Sequence, residues 1–218
     1  MKKLNLIVGG GKYGCEAIKL LRSQQKSFIV VDTNSDCSAV QTFKLKTCRV
    51  PHSAKEGFVQ GDLATAVDLV ERLKPEYVFP TAPVHIAADM AKLKFNLVPW
   101  PEAVDSILAR LPPIVVLAAG KGKIVLSFNR DHHCVDNCAM PEVCPTSKVK
   151  KPCTMTKLMK FACPEACILI SYSMAPGLGA LKGEEILDFF KWVEHRKCFV
   201  VGTACDCHGV FSAFKQVQ

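Results

Sequence analysis

The chain has 218 residues, of which 49% are hydrophobic, and it carries a formal net charge of +8. This length can bury one large core or two smaller ones. No run of 18 or more apolar residues occurs, so the sequence predicts no membrane-spanning helix. The apolar stretch Leu4–Val8 is too short for a secretion signal and runs directly into glycines. We interpret it as a first β-strand and expect a cytoplasmic protein.

Twelve cysteines are the most informative feature of the composition. In a reducing cytoplasm, so many cysteines favour metal or redox chemistry over a framework of disulfides. Three of them are scattered over the first half of the chain, whereas the other nine lie between Cys134 and Cys207. This change in composition predicts two domains, residues 1–111 and a cysteine-rich domain of residues 112–218.

The positive charge has one local concentration, between Glu142 and Glu165, where no acidic residue offsets the lysines. Such a run is usually a solvated face of the protein. It also lacks the interleaved aromatic residues on which nucleic-acid bases stack, so we do not expect a nucleic-acid partner. The expected partners are a dinucleotide and either a protein redox partner or a second copy of the chain.

The first half begins with a strand, a glycine motif and a helix. Leu4–Val8 is followed by Gly9-Gly10-Gly11-Lys12-Tyr13-Gly14, which fits the pattern G-x-G-x-x-G. Small and apolar residues then recur at helical spacing from Gly14 to Leu21, and a second apolar run, Phe28–Val31, ends on Asp32. Strand, glycines, helix, strand and acid in this order are the context in which the motif indicates a dinucleotide site.

Each residue of the motif has a mechanical reason to bind a dinucleotide. Gly9 permits the tight turn, Gly11 lets the pyrophosphate approach the backbone, and Gly14 lets the helix pack against the strand. The helix N-terminus offers free N–H groups to the phosphates, and Lys12 and Tyr13 lie in that first turn. We therefore predict that all five residues contact the cofactor.

Asp32 decides which cofactor we expect. An acidic side chain at the carboxyl end of the second strand takes both ribose hydroxyls of NAD and repels the 2′-phosphate of NADP. The sequence therefore predicts NAD(H). An empty unit, FAD or a regulatory nucleotide is the alternative.

Strands and helices continue to alternate after the motif. Residues 58–62 are predicted to form the end of a strand, and two further strands are predicted over 77–81 and 96–99. A predicted helix follows each of the three. This alternation predicts an α/β fold, a Rossmann-type doubly wound parallel sheet. Thr81, at the end of the fourth strand, is a further predicted cofactor contact. His85, just beyond it, is either a general acid or a structural cap of the next helix.

Three segments carry a family resemblance: Ile7–Gly14, Val30–Asp32 and the pair Gly61-Asp62. They resemble the nucleotide-binding domain of TrkA-type regulators of potassium transport, over about the first 100 residues. The resemblance implies a nucleotide-binding fold. In that family a Gly-Asp pair at the end of the third strand lies beside the adenine, so the resemblance also implies that Gly61 and Asp62 contact the cofactor.

The second half has ordinary α/β elements around its thiols. Two apolar runs, Ile114–Ala119 and Ile124–Phe128, are joined by a short segment of glycines and lysines and predict a hairpin. The remaining predicted elements are a helix over 155–162, a strand over 167–174, a helix over 186–193 and a strand over 198–203. We therefore expect a smaller cysteine-rich α/β domain after the Rossmann-type domain.

Two cysteine pairs in this half have the same spacing, Cys134 with Cys138 and Cys163 with Cys167. Structural zinc is usually held by short Cys pairs, and two pairs supply the four ligands of a tetrahedral site. The sequence therefore predicts that these four thiolates hold one metal centre.

Cys144 is a fifth predicted metal ligand, because Cys-Pro ends the ligand series of bacterial ferredoxins and Pro145 follows it. Residues 205–208, Cys-Asp-Cys-His, are the last dense group of ligands and follow a predicted strand closely enough to join a metal site. An iron–sulfur cluster and zinc are both open. The alternative is that the cysteines are reduced and packed as small hydrophobes, or are reactive thiols.

These features predict an NAD(H)-binding redox protein, which as an enzyme is an NAD-dependent oxidoreductase. It couples nicotinamide to a thiol-ligated metal or iron–sulfur centre, or to redox thiols. A second hypothesis is a TrkA-like nucleotide-sensing regulatory module whose other domain is structural, through zinc or thiols, and binds a partner. A third is a zinc-stabilised nucleic-acid binder that uses the lysines of 148–160.

Overall fold

The computed structural model describes residues 4–48, 55–136 and 138–217. The protein is α/β, with two mixed sheets and, in these ranges, seven α-helices. It divides into two compact units: unit 1 is Met1–Lys94 with Leu178–Phe190, and unit 2 is Phe95–Gly177 with Lys191–Gln218. In the described ranges, no helix combines the length and the apolar character needed to cross a membrane.

Unit 1 is built on four parallel strands. They are β1 (Leu4–Val8), β2 (Ser27–Asp32), β3 (Glu56–Gln60) and β4 (Tyr77–Pro80). A fifth strand, β10 (Leu178–Lys182), comes from much later in the chain and pairs antiparallel with β4. The strand order is β3-β2-β1-β4-β10, so the carboxyl ends of the four parallel strands meet at one edge of the sheet.

The two central strands, β1 and β2, are covered on both faces, which is why their sequences are continuous apolar runs. Residues 5–8 and 28–31 are all buried, and the strands pair in register from Leu4 with Ser27 to Val8 with Val31. Asn5 is the polar residue in this run. Its Nδ2 donates to the Ser27 carbonyl oxygen at 3.0 Å, which satisfies the buried amide.

In its described residues, unit 1 has four helices that follow its parallel strands, and the start of a fifth helix that follows β10. They are α1 (Lys12–Ser23), α2 (Ser38–Phe43), α3 (Leu63–Leu73), α4 (Ile86–Lys94) and the first two turns of α7 (Gly183–Glu194). The buried face of α1 is the predicted one, Gly14, Ala17, Ile18 and Leu21. The N-terminus of α3 is capped by Asp62, whose carboxylate accepts from Thr65 N at 3.1 Å.

Unit 2 is built on a second mixed sheet. Its strands are β5 (Leu97–Pro99), β6 (Val116–Gly120), β7 (Lys123–Ser127), β8 (Cys167–Ile170), β11 (Cys198–Ala204) and β12 (His208–Gln216), and the unit also contains β9 (Tyr172–Ala175). The order is β6-β7-β12-β11-β8, with β5 also paired to β12. Only β8 and β11 pair in parallel, so the unit has a mainly antiparallel sheet with β12 at its centre.

Two helices, α5 (Pro101–Leu108) and α6 (Met155–Ala162), pack on this sheet and complete the core of unit 2. The fully buried Met155 and Met159 lie over the start of β12, where a side chain in place of Gly209 would meet the Met159 sulfur. The flexible thioether side chains fill this irregular space. The core therefore fixes the N-terminal end of α6 close to the turn that precedes β12.

The units do not divide at the expected boundary after Leu111. The segment Leu97–Pro99, predicted as another parallel strand of the first sheet, pairs antiparallel with β12, with Pro99 opposite Phe214. The following helix, α5, buries Ala103, Val104 and Ile107 in the core of unit 2. A strand of three residues contains too little pattern to specify its partner, so local alternation could not assign it.

The first sheet is mixed rather than wholly parallel, which corrects the expected all-parallel arrangement. The cause is β10, which lies 98 positions after the end of β4 (178 against 80) and still pairs with it. The strand predicted over 167–174 is also divided into two strands, β8 (Cys167–Ile170) and β9 (Tyr172–Ala175), with Ser171 between them. The predicted hairpin is confirmed as β6 and β7.

Candidate functional site

The first candidate site is the glycine loop, residues Gly9–Gly14, between β1 and α1. Gly9 has φ +112°, a conformation that favours glycine, and its N–H donates to the Val31 carbonyl oxygen at 2.9 Å. A side chain at Gly14 would overlap the Gly9 carbonyl oxygen. These are the tight turn and the close approach of helix to strand that the motif predicts.

Gly11 has a different environment from the other two motif glycines. Its φ of −80° is accessible to any residue, and a Cβ built on it meets no described residue within 4 Å apart from its neighbours in the chain. It occupies the N-cap of α1, where no side chain caps the helix and no acidic residue lies in the first turn. The exposed N–H groups at this end of the helix can therefore donate hydrogen bonds to an anionic group of a ligand.

Asp32 ties the glycine loop to β2. Its Oδ2 accepts from Gly10 N at 2.6 Å, and its Oδ1 accepts from Asn34 N at 2.8 Å. An ionised carboxylate offers about four acceptor positions, so both oxygens can still accept from a ligand hydroxyl. The half-buried side chain thus positions the loop and faces the same edge of the sheet.

Thr81 connects the end of β4 to the same loop. Its Oγ1 lies 2.7 Å from the Gly9 carbonyl oxygen and 3.0 Å from that of Val8, and its N–H donates to Val8. The one hydroxyl hydrogen is therefore engaged by the loop. Thr81 holds the loop in place, and its predicted contact with a cofactor stays a prediction.

Lys12 and Tyr13 are both exposed in the first turn of α1, with the Lys12 ammonium 5.7 Å from the centre of the Tyr13 ring.

Gly61 lies beside Asp32, because its N–H donates to the Asp32 carbonyl oxygen at 3.0 Å. The N–H of Thr65 is the main cause of a lowered pKa at Asp62, so this exposed carboxylate is an ionised helix cap.

His85 is buried, with 5% of its surface exposed, immediately before α4. Its carbonyl oxygen accepts from Asp89 N at 2.8 Å, as expected of a residue that begins a helix. Little of the ring is open to a substrate, which favours the structural role over that of general acid. The catalytic role stays a prediction.

The second candidate site lies in unit 2, where the loop after β7 meets the turn before β12. Cys134 Sγ lies 3.4 Å from His208 Nε2, and the other ring nitrogen, Nδ1, lies 3.9 Å from Cys205 Sγ. Asn129 Nδ2 donates to Cys134 Sγ at 3.3 Å. Desolvation by the surrounding atoms, with a smaller effect of the Lys151 ammonium, lowers the pKa of His208. The lowered pKa favours the neutral imidazole of His208, which lies between the sulfurs of Cys134 and Cys205.

A lysine links two further thiols of this region. Lys151 Nζ donates to Cys207 Sγ at 3.2 Å and to the Met140 carbonyl oxygen at 3.0 Å, and Met140 N donates to Cys138 Sγ at 3.4 Å. Burial raises the pKa of Cys207, the ammonium opposes that rise, and nearby Cys205 and Cys138 add to it. Cys207 is thus a protonated thiol held against a lysine.

Cys144 has a turn of hydrogen-bond donors around its sulfur. Desolvation opposes its ionisation, but hydrogen bonds from Ser147 and Thr146 together outweigh that effect and lower the pKa of Cys144. Ser147 N lies 3.5 Å from the sulfur. The buried hydroxyl oxygens of Thr146 and Ser147 have no other partner in the described residues. The turn therefore favours the thiolate form of Cys144.

The predicted centre of Cys134, Cys138, Cys163 and Cys167 is not assembled. Cys163 is fully buried in the core at the end of α6, and burial, with Glu165 adding to the effect, raises its pKa to about 12. In the described part of the chain, no group of three or more Cys, His, Asp and Glu side chains has the geometry to hold a metal ion. Cys163 packs as a small hydrophobe because its sulfur faces the core and not the loops.

The sequence pattern did not assign Asn129 or Lys151 to the thiol region, whereas His208 belongs to a group that it did single out. His208 stood within the noted ligand group at 205–208, so its residue type was a usable signal. Asn129 and Lys151 have no local pattern that distinguishes them. Their roles depend on contacts 5 and 56 positions away in the chain, to Cys134 and Cys207.

The fold and the two sites define a class: a two-unit α/β protein with a glycine loop in one unit and a group of free thiols in the other. The chain belongs to the AF_1314 family. The family models, described as the N-terminal and C-terminal domains of an uncharacterised protein, match residues 4–86 and 84–217. An uncharacterised protein of Archaeoglobus fulgidus is 45% identical over 215 residues, covering 98% of this chain and 100% of that relative. No solved structure matches.

The identification with TrkA-type regulators is therefore wrong. The model that matches the first 86 residues is that of the AF_1314 N-terminal domain, and no TrkA-type model matches. Unrelated chains share such glycine motifs because a tight turn and a closely packed helix impose the same residues. The roles that the resemblance implied for Gly61 and Asp62 lose that support.

Proposed function

We propose that unit 1 is a Rossmann-type unit that binds NAD(H) at the glycine loop, and that the protein is a redox protein in which unit 2 supplies reactive thiols. One observation carries the proposal: the uncapped N-terminus of α1 at Gly11, where a Cβ meets no described residue within 4 Å beyond its chain neighbours. The backbone there is open to a ligand, which is what the approach of a pyrophosphate requires.

The topology of unit 1 supports this location. The order β3-β2-β1-β4 matches the first four strands of the order 3-2-1-4-5-6 of dinucleotide-binding folds, and the direction of chain progression reverses between β1 and β4. Ligands of open α/β sheets bind outside the carboxyl ends of the strands at such a reversal. The loops that follow β1 and β4 meet there, since Thr81 Oγ1 lies 2.7 Å from the Gly9 carbonyl oxygen.

The side chains around the loop suit the parts of the cofactor. The N–H groups and partial positive charge of the α1 N-terminus favour phosphate oxygens. Asp32, one strand away, has acceptor positions left for ribose hydroxyls, and its charge opposes a 2′-phosphate. NADH is therefore expected to bind in preference to NADPH.

Titration of the purified protein with NADH, followed by calorimetry, tests the proposal. We expect binding by the wild type and a loss of at least about 100-fold in affinity for Gly11→Val, because the side chain occupies the path of the pyrophosphate. Gly11→Ala, which adds only one carbon, is the graded control. The melting temperature of both variants should stay within a few degrees of the wild type, since among the described residues a Cβ at this position displaces nothing. No NADH binding by the wild type, or equal binding by Gly11→Val, overturns the proposal.

The form of the thiols that we propose for unit 2 is that of redox thiols. Its support is the position of His208, whose two ring nitrogens face the sulfurs of Cys134 and Cys205 and can act as a base there. The electron count agrees with the cofactor: the two electrons of one NADH, with one proton, convert one disulfide into two thiols. Metal analysis of protein purified without oxygen separates the two forms. Stoichiometric zinc, or iron with a brown colour and absorbance near 400 nm, would show that unit 2 holds a metal centre instead of redox thiols.

A further inference from the structure

The thiol contacts in unit 2 include an arrangement that nucleophilic sites use. The end of β7 lies beside the start of β12, where Ser127 pairs with His208, and Phe128 N donates to the Cys207 carbonyl oxygen at 3.1 Å. This pairing brings the loop containing Cys134 against the turn containing Cys205. The start of α6 supports that turn from the other side, since Met155 N donates to the Asp206 carbonyl oxygen at 2.9 Å.

We infer that Cys134 is a nucleophilic thiol, that His208 is its base, and that Cys205 orients the His208 ring. The inference rests on unit 2 and does not depend on nucleotide binding by unit 1. Nucleophilic cysteines are recognised by a base within hydrogen-bond reach that is itself oriented by a third group. The Nε2 of His208 is 3.4 Å from Cys134 Sγ, and its Nδ1 is 3.9 Å from Cys205 Sγ.

The position of the His208 ring is fixed by its own backbone. Its N–H donates to Cys205 Sγ at 3.4 Å, and its carbonyl oxygen accepts from Cys205 N at 3.0 Å. A hydrogen on Nδ1, directed toward the Cys205 sulfur, leaves the Nε2 lone pair free to accept the proton of Cys134. This tautomer is the one that a base for Cys134 requires.

Asn129 completes the arrangement. The residue is 5% exposed, and its Nδ2 donates to Cys134 Sγ at 3.3 Å and to the His132 carbonyl oxygen at 3.1 Å. The amide oxygen, Oδ1, has no partner in the described residues. A buried amide with an unsatisfied oxygen is costly, so its orientation toward the sulfur points to a role in stabilising the thiolate.

The chemistry expected of such a thiol is exchange with a disulfide, since an exposed thiolate is a soft nucleophile. His208 Nε2 takes the proton of Cys134, and the thiolate attacks one sulfur of a small disulfide. The S–S bond of that disulfide breaks, a mixed disulfide with Cys134 forms, and the leaving thiolate takes the proton from His208. Cys134 is oxidised in this step, and the released thiol is the reduced product.

The chain contains a matched control thiol. Cys134 and Cys198 are both exposed, and only Cys134 lies against an imidazole in the described contacts. The reduced full-length protein is treated with a small aromatic disulfide that releases a coloured thiolate, and peptide mapping identifies the modified cysteine. We expect Cys134 to react at least about tenfold faster than Cys198, and His208→Gln to remove that advantage without changing the rate at Cys198.

Equal rates at Cys134 and Cys198 in the wild type overturn the inference, and this comparison needs no variant. An unchanged Cys134 rate in a folded His208→Gln variant does the same. Modification of Cys134 only after a chelator has removed a stoichiometric metal shows that the thiol is a ligand instead. Each outcome is independent of the NADH titration, so failure of this inference leaves the proposed NAD(H) binding by unit 1 standing and removes Cys134 from the proposed redox thiols of unit 2.

Discussion

The two candidate sites are built from different parts of the chain. The glycine loop of unit 1 consists mainly of backbone groups within six consecutive residues, Gly9–Gly14. The thiol site of unit 2 consists of side chains from separate loops, and its central contact joins Cys134 to His208, which are 74 positions apart. A site made of local backbone groups depends on the φ and ψ angles of a few residues. A site made of distant side chains depends on the sheet that aligns them. Substitutions therefore have different effects in the two units.

The largest difference is expected between two glycines of the same loop. Gly14→Ala places a Cβ against the Gly9 carbonyl oxygen and should lower the free energy of unfolding by about 3 kcal/mol, because neither backbone segment can move away. Gly11→Ala should change it by about 0.5 kcal/mol or less. Urea unfolding of both variants measures this difference. Similar stabilities of the two variants would show that Gly14 is not packed tightly against the Gly9 carbonyl oxygen.

In unit 2, two thiols with opposite environments provide the second comparison. Cys163→Ser should cost about 2 kcal/mol, because the hydroxyl is buried in the core in place of a thiol that packs as a hydrophobe. Cys144→Ser should cost less than about 1 kcal/mol, since Ser147 N can donate to a hydroxyl oxygen as it does to the sulfur. Urea unfolding again gives the values. If Cys144→Ser is the more damaging change, the predicted metal site at Cys144 gains support.

The raised pKa of Cys163 makes stability depend on pH in a defined window. The thiol ionises near its ordinary value of 9.0 in the unfolded chain but only near 12 in the folded protein. Above pH 9 the unfolded state therefore binds fewer protons, and stability falls as pH rises toward 12. The contribution of this residue is at most about 1.4 kcal/mol per pH unit. The free energy of unfolding, measured at about pH 8.5, about 9.5 and about 10.5, should fall less steeply with pH for Cys163→Ala than for the wild type.

The smallest expected effect concerns cofactor choice at Asp32 and rests on the proposed function. The wild type should bind NADH more tightly than NADPH, and Asp32→Asn should narrow that gap about fivefold to tenfold by removing the negative charge. Asparagine keeps one acceptor for Gly10 N or Asn34 N, so the loop should stay ordered. Parallel titrations with both cofactors give the ratio. Tighter binding of NADPH by the wild type contradicts the role of Asp32.

Several elements could be predicted from the sequence because their signals are local. The strand Leu4–Val8, the buried face of α1, the strand that ends on Asp32 and the hairpin β6–β7 depend on hydrophobic periodicity and on glycines. The motif also located the tight turn at Gly9 and the close contact at Gly14. These features are determined within about thirty residues, where steric restrictions on the backbone dominate.

Only the tertiary structure decided which elements pair and which thiols meet. The strand β5 joins β12 and not the first sheet, β10 returns to β4, and Cys163 faces the core while Cys134 lies against His208. A cysteine has the same local pattern whether it packs, reacts or binds metal, so its spacing could suggest partners but could not select them. Burial and neighbouring charges set the state of each thiol, and both are created only when distant strands align.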